Sequence, residues 1–243
     1  MSNKEKYTKF ILENYNNMTN KEISKELGIS ISYVTEIKRK NKLPSKKIYD
    51  INDIQHQILI SGKLGDGSYK KNGLYAFYYR EVHSVAEEEY LLWKYNSLGE
   101  LTKGNKINFS KRRNDNQFDQ KNFNTKTTKQ LIEYANMSNA ECIEQLNDLG
   151  LILYILDDGW KHIHRLGFEF PYNICLAVHA LSEEEKELLL DKFESELGVS
   201  GNIICKDRNT ISFNKDCNDV FIRVLEKYGL RDLDVSIKKF NSR

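Results

Sequence analysis

The chain has 243 residues, of which 40% are hydrophobic and 30% charged, and its formal net charge is +2. This composition is typical of a globular protein with a substantial core, and it excludes low-complexity and collagen-like chains. The N-terminal residues lack the apolar run expected of a secretory signal, and no run approaches the ~18 apolar residues of a membrane span. The four cysteines form no CxxC pair, and this spacing favours free thiols in a reducing compartment.

The positive charge is concentrated in two segments. Residues 1–48 hold eleven Lys or Arg against five Asp or Glu, and residues 103–129 hold eight against two. The remainder is therefore acidic. We expect one cationic face, which would attract phosphate groups, and one acidic face turned away from it.

Residues 19–40 have the pattern of two short helices joined by a glycine turn. Thr19 and Glu22 form a predicted capping box, and Gly28 can take the left-handed conformation that ends a helix. The apolar positions around this turn are Ile23, Leu27, Ile29, Val34 and Ile37. The spacing resembles the helix-turn-helix DNA-binding motif, and an earlier helix over 7–15 would complete a small all-α domain.

In that motif the second helix enters the major groove of DNA. The candidate DNA contacts on it are Ser30, Ser32, Tyr33, Thr35, Arg39 and Lys40. We predict a DNA-binding domain over residues 1–48 that ends in a basic linker around Pro44. The alternative is a helical protein-interaction module with a solvated basic tail.

The rest of the chain is an internal repeat. LISGKLGDG (59–67) and LILYILDDG (151–159) place Asp66 and Asp158 92 residues apart. Each is followed by strand-like sequence, an acidic amphipathic helix, further strands and a helix. The repeat predicts an α+β unit duplicated over 49–149 and 150–243, with a pseudo-twofold axis between the halves.

The acidic helices, over 87–98 and 183–196, are expected on the outer surface. Ser84 with Glu87, and Ser182 with Glu185, form predicted capping boxes at matching places. The side chains expected to turn inward are Leu91, Leu92, Leu188, Leu189 and Phe193.

The two Asp-Gly helices are apolar on all sides, so we expect them to be buried against each other between the halves. Ser61 and Gly65 are small residues that would let a partner helix approach closely. This packing brings Asp66 and Asp158 together at one end, where two carboxylates repel unless a cation lies between them. Oxygen ligands favour a hard cation such as Mg²⁺, and such sites cleave phosphodiesters.

Basic and polar residues on the predicted strands are candidate DNA contacts. They are Lys70, Lys71, Arg80, Lys106, Lys111, Arg112, Arg113, Lys161, His162, His164, Lys206 and Arg208. Each could instead be an ordinary surface charge. His162 and His164 share one side of a strand, and a metal site with Asp157 is the less favoured alternative to contacts with DNA.

The two Asp-Gly segments resemble those of the LAGLIDADG homing endonucleases, in the single-chain form with two motif copies. The resemblance covers about residues 53–243. It implies a pseudo-twofold αββαββα fold whose antiparallel sheets form a saddle over DNA. It also implies a monomeric, site-specific endonuclease that cuts both strands of a long, pseudo-palindromic duplex target, in intron homing or another mobile element.

The resemblance also implies the site residues. Asp66 and Asp158, with Gly65 and Asp157 before them, would bind Mg²⁺ or Mn²⁺. Lys239 would be the catalytic lysine of the second half, with Lys238 as the alternative. The corresponding first-half segment, IEYANMSN, has no lysine, so nicking of one strand is an open alternative.

Two further functions remain open at this stage. The chain could be a non-cleaving, sequence-specific DNA regulator of the same fold, or an RNA-splicing maturase. We expect the protein in the cytoplasm, or in the organelle or nucleoid that holds its target DNA.

Overall fold

The structure is a computed structural model that describes residues 2–15, 17–41, 43, 48–72, 76–111, 119–163, 172–205 and 209–240. The predicted linker around Pro44 lies outside these residues. So do five predicted DNA contacts, Arg112, Arg113, His164, Lys206 and Arg208.

The N-terminal region forms a small helical unit with its own core. Its helices are α1 (Asn3–Asn14), α2 (Asn20–Leu27) and α3 (Ile31–Lys40). The core consists of Ile11, Ile23, Val34 and Ile37. The capping box at Thr19 and the left-handed Gly28, with φ 63°, are confirmed. The first helix begins at Asn3 rather than Tyr7, because Ser2 and Glu5 form a further capping box.

The predicted order of elements is confirmed in both halves of the body. The first half contains α4 (Asp53–Leu64), β1 (Ser68–Lys71), β2 (Phe77–Ser84), α5 (Glu88–Ser97), β3 (Asn108–Ser110), β4 (Gln120–Asn124), α6 (Leu131–Asn136) and α7 (Asn139–Glu144). The second half contains α8 (Asp148–Asp158), β5 (Gly159–Ile163), β6 (Tyr172–Ala177), α9 (Glu183–Leu197), β7 (Gly201–Cys205), β8 (Thr210–Phe213), α10 (Asn218–Lys227) and α11 (Asp234–Phe240). The short helices α7 and α11 are additions to the predicted αββαββα order.

Each half builds one antiparallel sheet from its described strands. The strand orders are β1-β2-β4-β3 and β5-β6-β8-β7. In β2, Tyr79, Glu81 and His83 are buried, while Tyr78, Arg80 and Val82, which alternate with them, are in part exposed. One face of the first sheet therefore packs against helices, and the other, the open face, is in part exposed. The corresponding face of the second sheet carries the exposed Trp160 and His162 on the edge strand β5.

Helices α4 and α8 lie against each other at the centre of the body. From Leu149 to Leu156 every residue of α8 is buried, as the apolar sequence predicts. A single hydrophobic cluster extends through both halves and includes Leu59 of α4 and Ile152 of α8. The predicted helix pair between the halves is thus confirmed.

Helix α5 differs from its prediction in two respects. Ser84 makes no side-chain capping bond, because residues 85–87 form a 3-10 turn and the helix begins only at Glu88. The predicted inward position of Leu91 is confirmed, but Leu92 is 37% exposed, and Lys94, which was not predicted to turn inward, is fully buried. The corresponding capping box of α9, Ser182 with Glu185, is confirmed.

A bilayer crossing requires a long, uninterrupted apolar helix. No helix in the described part of the chain has the necessary length and hydrophobicity.

Candidate active site

The two Asp-Gly tips lie at the C-terminal ends of the central helix pair. Asp66 follows α4 by two residues, and Asp158 is the last residue of α8. Gly65, which precedes Asp66, lies against Asp157, which precedes Asp158, so the two tips are next to each other. The predicted meeting of the two acidic tips is consistent with this arrangement.

The tips can approach because Gly65 has no side chain. A Cβ atom at Gly65 would lie 2.7 Å from the Cβ of Asp157 and 2.9 Å from its Oδ2. At the opposite end of the helix pair, a Cβ at Gly150 would lie 2.2 Å from Oε1 of Gln57. Asp157 fits into the contact between the two helices because its neighbour there is a glycine.

The Asp66 carboxylate faces a buried histidine. Nδ1 of His83 lies 3.4 Å from Oδ2 of Asp66 and 3.5 Å from Oε2 of Glu87, and the Asp66 side chain is 38% exposed. Burial, and then the charge of Asp157, raise the pKa of Asp66 to about 7. Burial favours the neutral imidazole, but hydrogen bonds to Glu81 and Glu87 raise the pKa of His83 to about 9.

Behind His83 lies a chain of buried charges. Nε2 of His83 donates to Oε1 of Glu81 at 2.9 Å, and Nζ of Lys94 donates to the same oxygen at 2.7 Å. Lys94 also donates to both carboxylate oxygens of Asp157, at 2.7 and 2.9 Å. Tyr90 donates to Oδ1 of Asp157 at 2.8 Å. Burial would lower the pKa of Lys94, but the charges of Asp157 and Glu81 raise it well above its usual value.

Asp158 has different surroundings. Burial and the charge of Asp157 raise the pKa of Asp158 to about 6, while Lys239 and His179 oppose this rise. Lys239 is nearly buried, and its ammonium donates to the carbonyls of Ile155 at 3.3 Å, of Leu156, and of Asp157 at 3.4 Å. Lys239 therefore caps the end of α8 as well as supplying positive charge near the tips.

The residues at the tips fit a hard divalent cation. Asp66, His83 and Asp157 have ligand atoms within 4.8 Å of one another. The oxygens of Asp157 already accept hydrogen bonds from Lys94 and Tyr90, and a protonated His83 offers no lone pair. Burial, and after it the charge of Asp157, raise the pKa values of Asp66 and Asp158, and a bound cation would favour the ionised form of both carboxyl groups. Carboxylate oxygens are the ligands that Mg²⁺ and Mn²⁺ prefer.

The open face of the first sheet carries basic and amide side chains. Strand pairing places Lys70 beside Tyr78, and Arg80 beside Asn124, on the same face. Nε of Arg80 and Oδ1 of Asn124 are buried and have no hydrogen-bond partner among the described residues. A groove of about 580 Å³ on this face includes Lys106 in its lining. These groups suit contacts with a polar, anionic ligand.

The pairing register of the strands shows on which face of its sheet each predicted DNA contact lies. Lys71 pairs with Phe77 and Lys161 with Ile174, so both lysines lie on the helix-facing side of their sheets. His162 pairs with Asn173 and shares the open face with the half-exposed Trp160. Lys106 and Lys111 are exposed.

Helix α3 presents several of its predicted contacts to solvent. Ser32, Thr35, Arg39 and Lys40 are exposed. Lys40 forms an ion pair with Glu36, and the Ser30 hydroxyl accepts the backbone N–H of Tyr33 as the helix cap. Tyr33 packs in part against the helical core.

Sequence reasoning missed His83, Glu81 and Lys94. A signal was present in the alternation of β2, where the inward positions 79, 81 and 83 read Tyr, Glu and His. A charged residue at an inward strand position requires a buried partner. Tyr90, Leu91 and Leu98 lie one helical turn from Lys94 and mark its face of α5 as inward, but the sequence does not show that this lysine is the partner of Glu81.

Comparisons with known proteins identify the family and the fold. The model of the LAGLIDADG DNA endonuclease family matches residues 56–218. The homing endonuclease I-WcaI bound to its DNA recognition sequence has a similar structure, with TM-score 0.63 and 17% identity over 85% of this chain and 94% of that chain. No curated protein sequence matches the chain.

Two other solved structures overlap less. The LAGLIDADG homing endonuclease I-GzeII in complex with its DNA target gives TM-score 0.44 and 11% identity, over 74% of this chain and 84% of that chain. I-DmoI in complex with DNA and Mn gives TM-score 0.42 and 17% identity, over 71% of this chain and 97% of that chain. The likeness to I-WcaI shows the fold, and these two weaker matches add no further argument.

Proposed function

The chain belongs to the LAGLIDADG DNA endonuclease family, and from this premise we propose that it hydrolyses both strands of a specific duplex between Asp66 and Asp158. The observation that carries this proposal is the packing of α4 on α8, in which Gly65, next to Asp66, approaches Asp157, next to Asp158. Both halves lie in one chain, so a monomer supplies both tips.

The roles of the site residues follow from their surroundings. Asp66 and Asp158 would hold Mg²⁺ or Mn²⁺, and the preceding residues Gly65 and Asp157 fix the close approach of the tips. The bound ion would lower the pKa of a water and stabilise charge on the phosphate. His83 would orient the Asp66 carboxylate, and Lys239 would contribute positive charge near the phosphate while capping α8.

The DNA would lie along the open faces of the two sheets. Lys70, Arg80 and Lys106 on the first sheet, and His162 on the second, support this placement. The helical unit would bind further along the duplex through exposed residues of α3, and its tether would raise affinity through effective concentration.

Selection from a library of randomised duplexes tests the proposed activity. We expect the protein to cut one family of sequences with Mg²⁺ or Mn²⁺ and to cut nothing in EDTA. Asp66→Asn and Asp158→Asn should each abolish double-strand cutting and leave binding nearly unchanged. The matched control is Asp191→Asn, an exposed aspartate on α9, which should cut like the natural protein. Normal cutting by either tip variant would show that the site assignment is wrong.

The same assay separates the other functions. Specific retention of duplexes with no cutting under any divalent metal would make the protein a DNA regulator. Preferential binding of a structured intron RNA in a gel shift would favour a maturase. The host gene and the homing role stay predictions that the DNA flanking the gene would test.

The DNA-binding role of α3 has its own test. Arg39→Ala should weaken binding of the selected duplex by roughly 1–3 kcal/mol, or about 5- to 150-fold in Kd, because it removes a DNA contact. Lys9→Ala, on α1, is the matched loss of an exposed charge and should have little effect. Equal effects of the two variants would contradict the placement of α3 in a groove.

A further inference from the structure

The first half contains a buried chain of charged groups that the proposed chemistry does not use directly. Lys94 bridges Glu81 and Asp157, and the side chains of all three are completely inaccessible to solvent. Removing charges from water is costly, and apolar residues of similar volume often stabilise a core equally well. A role other than stabilising the fold would explain why these charges are present.

The second half shows that the fold does not require charges at these positions. Gly67 and Gly159 end the two Asp-Gly segments and occupy equivalent places in the two halves. The residue opposite Gly67 on the neighbouring strand is Glu81, and the residue opposite Gly159 is Leu176, so these two residues are counterparts. Gly99 and Gly198 follow α5 and α9 and share a positive φ, of 52° and 65°. Lys94 and Phe193 each lie five residues before the glycine, so they are counterparts on the two helices. Leu176 and Phe193 are both fully buried. The same architectural positions are thus apolar in one half and ionic in the other.

The charged chain connects the two acidic tips. It begins at Asp157, next to Asp158 on α8, and continues through Lys94 to Glu81 at 2.7 Å for each contact. From Glu81 it passes to Nε2 of His83 at 2.9 Å, and Nδ1 of the same ring lies 3.4 Å from Asp66. The chain therefore crosses from the second half into the first and ends at the other aspartate.

We propose that Lys94, Glu81 and His83 are positioning residues that fix the Asp66 carboxylate relative to the tip of α8. Asp66 is then supported by a buried chain of charges. Among the described residues, no equivalent chain supports Asp158. This inference rests on the proposed function, because its consequence is that the two strand cuts depend unequally on the chain. The cut that Asp66 serves requires the support, and the cut that Asp158 serves does not.

The test measures both cuts in one molecule. A selected duplex carries a different fluorophore on each strand, and the nicking rates of the two strands are followed with Mg²⁺. The ratio of the rates is independent of how much protein is folded. His83 has Val178 as its counterpart in the second half, so His83→Val gives the first half the side chain that the second half already has. We expect this variant to change the ratio of the two nicking rates at least tenfold. The triple variant Glu81→Leu/Lys94→Met/Asp157→Ala should change it in the same direction.

The matched control is Phe193→Leu, which disturbs the second-half core without touching the chain and should leave the ratio within twofold. An unchanged ratio in both test variants would overturn the inference while leaving the proposed function intact. Absence of cutting by the natural protein under every divalent metal would overturn the proposed function, and the inference with it.

A second readout needs neither metal nor cutting. In EDTA, Lys94→Met alone should lower the Tm more than the triple variant does, because the single change removes the lysine that neutralises two buried carboxylates. A triple variant as unstable as the single one would show that the chain serves the fold rather than Asp66.

Discussion

The two halves share a backbone plan but differ in what fills the layer between sheet and outer helix. In the second half the counterparts of Glu81 and Lys94 are the apolar Leu176 and Phe193, and Phe193 packs against Phe213 at a centroid distance of 4.5 Å. In the first half the same layer holds Lys94 and Glu81. The difference shows that a duplicated fold preserves helix and strand positions, while its buried electrostatics can become one-sided around a site.

The largest effect expected from this difference is on stability. Lys94→Met leaves Asp157 and Glu81 buried without their partner and should lower the free energy of unfolding by about 3–5 kcal/mol. Phe193→Leu, at the counterpart position, should cost only about 1–2 kcal/mol, because it removes apolar volume alone. Urea denaturation measures both. Equal losses would mean that the two layers are energetically alike.

Gly65 offers a test of intermediate size. Gly65→Ala places a methyl group against Asp157 and should cost roughly 1–3 kcal/mol through overpacking. The control is Gly198→Ala, where the added Cβ meets nothing within 4 Å and only the positive φ carries a cost, of about 1 kcal/mol.

The two glycine variants should differ in whether their effects on the free energy of unfolding add to the effect of Lys94→Met. Combined with Lys94→Met, the change at Gly65 should be non-additive, because both alter the Asp157 contacts. The change at Gly198 should be additive with Lys94→Met. Additivity of both pairs would argue against a tip that is held jointly by Gly65 and Lys94.

The smallest effect concerns the helix starts. Ser182→Ala removes a capping box from α9 and should cost about 1 kcal/mol. Ser84→Ala removes no capping bond from α5 and should stay within about 0.5 kcal/mol. Thermal unfolding of the two variants measures the contrast. A larger loss for Ser84→Ala would restore the capping box that the sequence predicts at that helix.

Much of the fold could be predicted from the sequence because its signals are local. The Asp-Gly helices are continuous apolar runs, and Gly28 and Ser182 mark helix ends through backbone conformation and capping. The repeat length adds a long-range constraint that a single copy lacks. The pairing of α4 with α8 followed from these features.

The charged chain could not be predicted in the same way. Lys94 and Asp157 are 63 positions apart in sequence, and the place of Lys94 on the apolar face of α5 does not identify Asp157 as its partner. Lys239 was found from the family resemblance, but its contacts with the α8 carbonyls depend on how α11 packs. The unequal faces of Lys70 and Lys71 depend on strand register.

The central claim is that Asp66 and Asp158 bind divalent metal at a common site, and metal-directed cleavage of the protein chain tests it most directly. Mg²⁺ is replaced by Fe²⁺ with ascorbate and peroxide, in the presence of the selected duplex, and the fragments are identified by mass spectrometry. Our account predicts backbone cuts around residues 65–67 and 157–159 that excess Mg²⁺ suppresses. Cuts confined to one tip, or directed to the acidic helix α9, would contradict it.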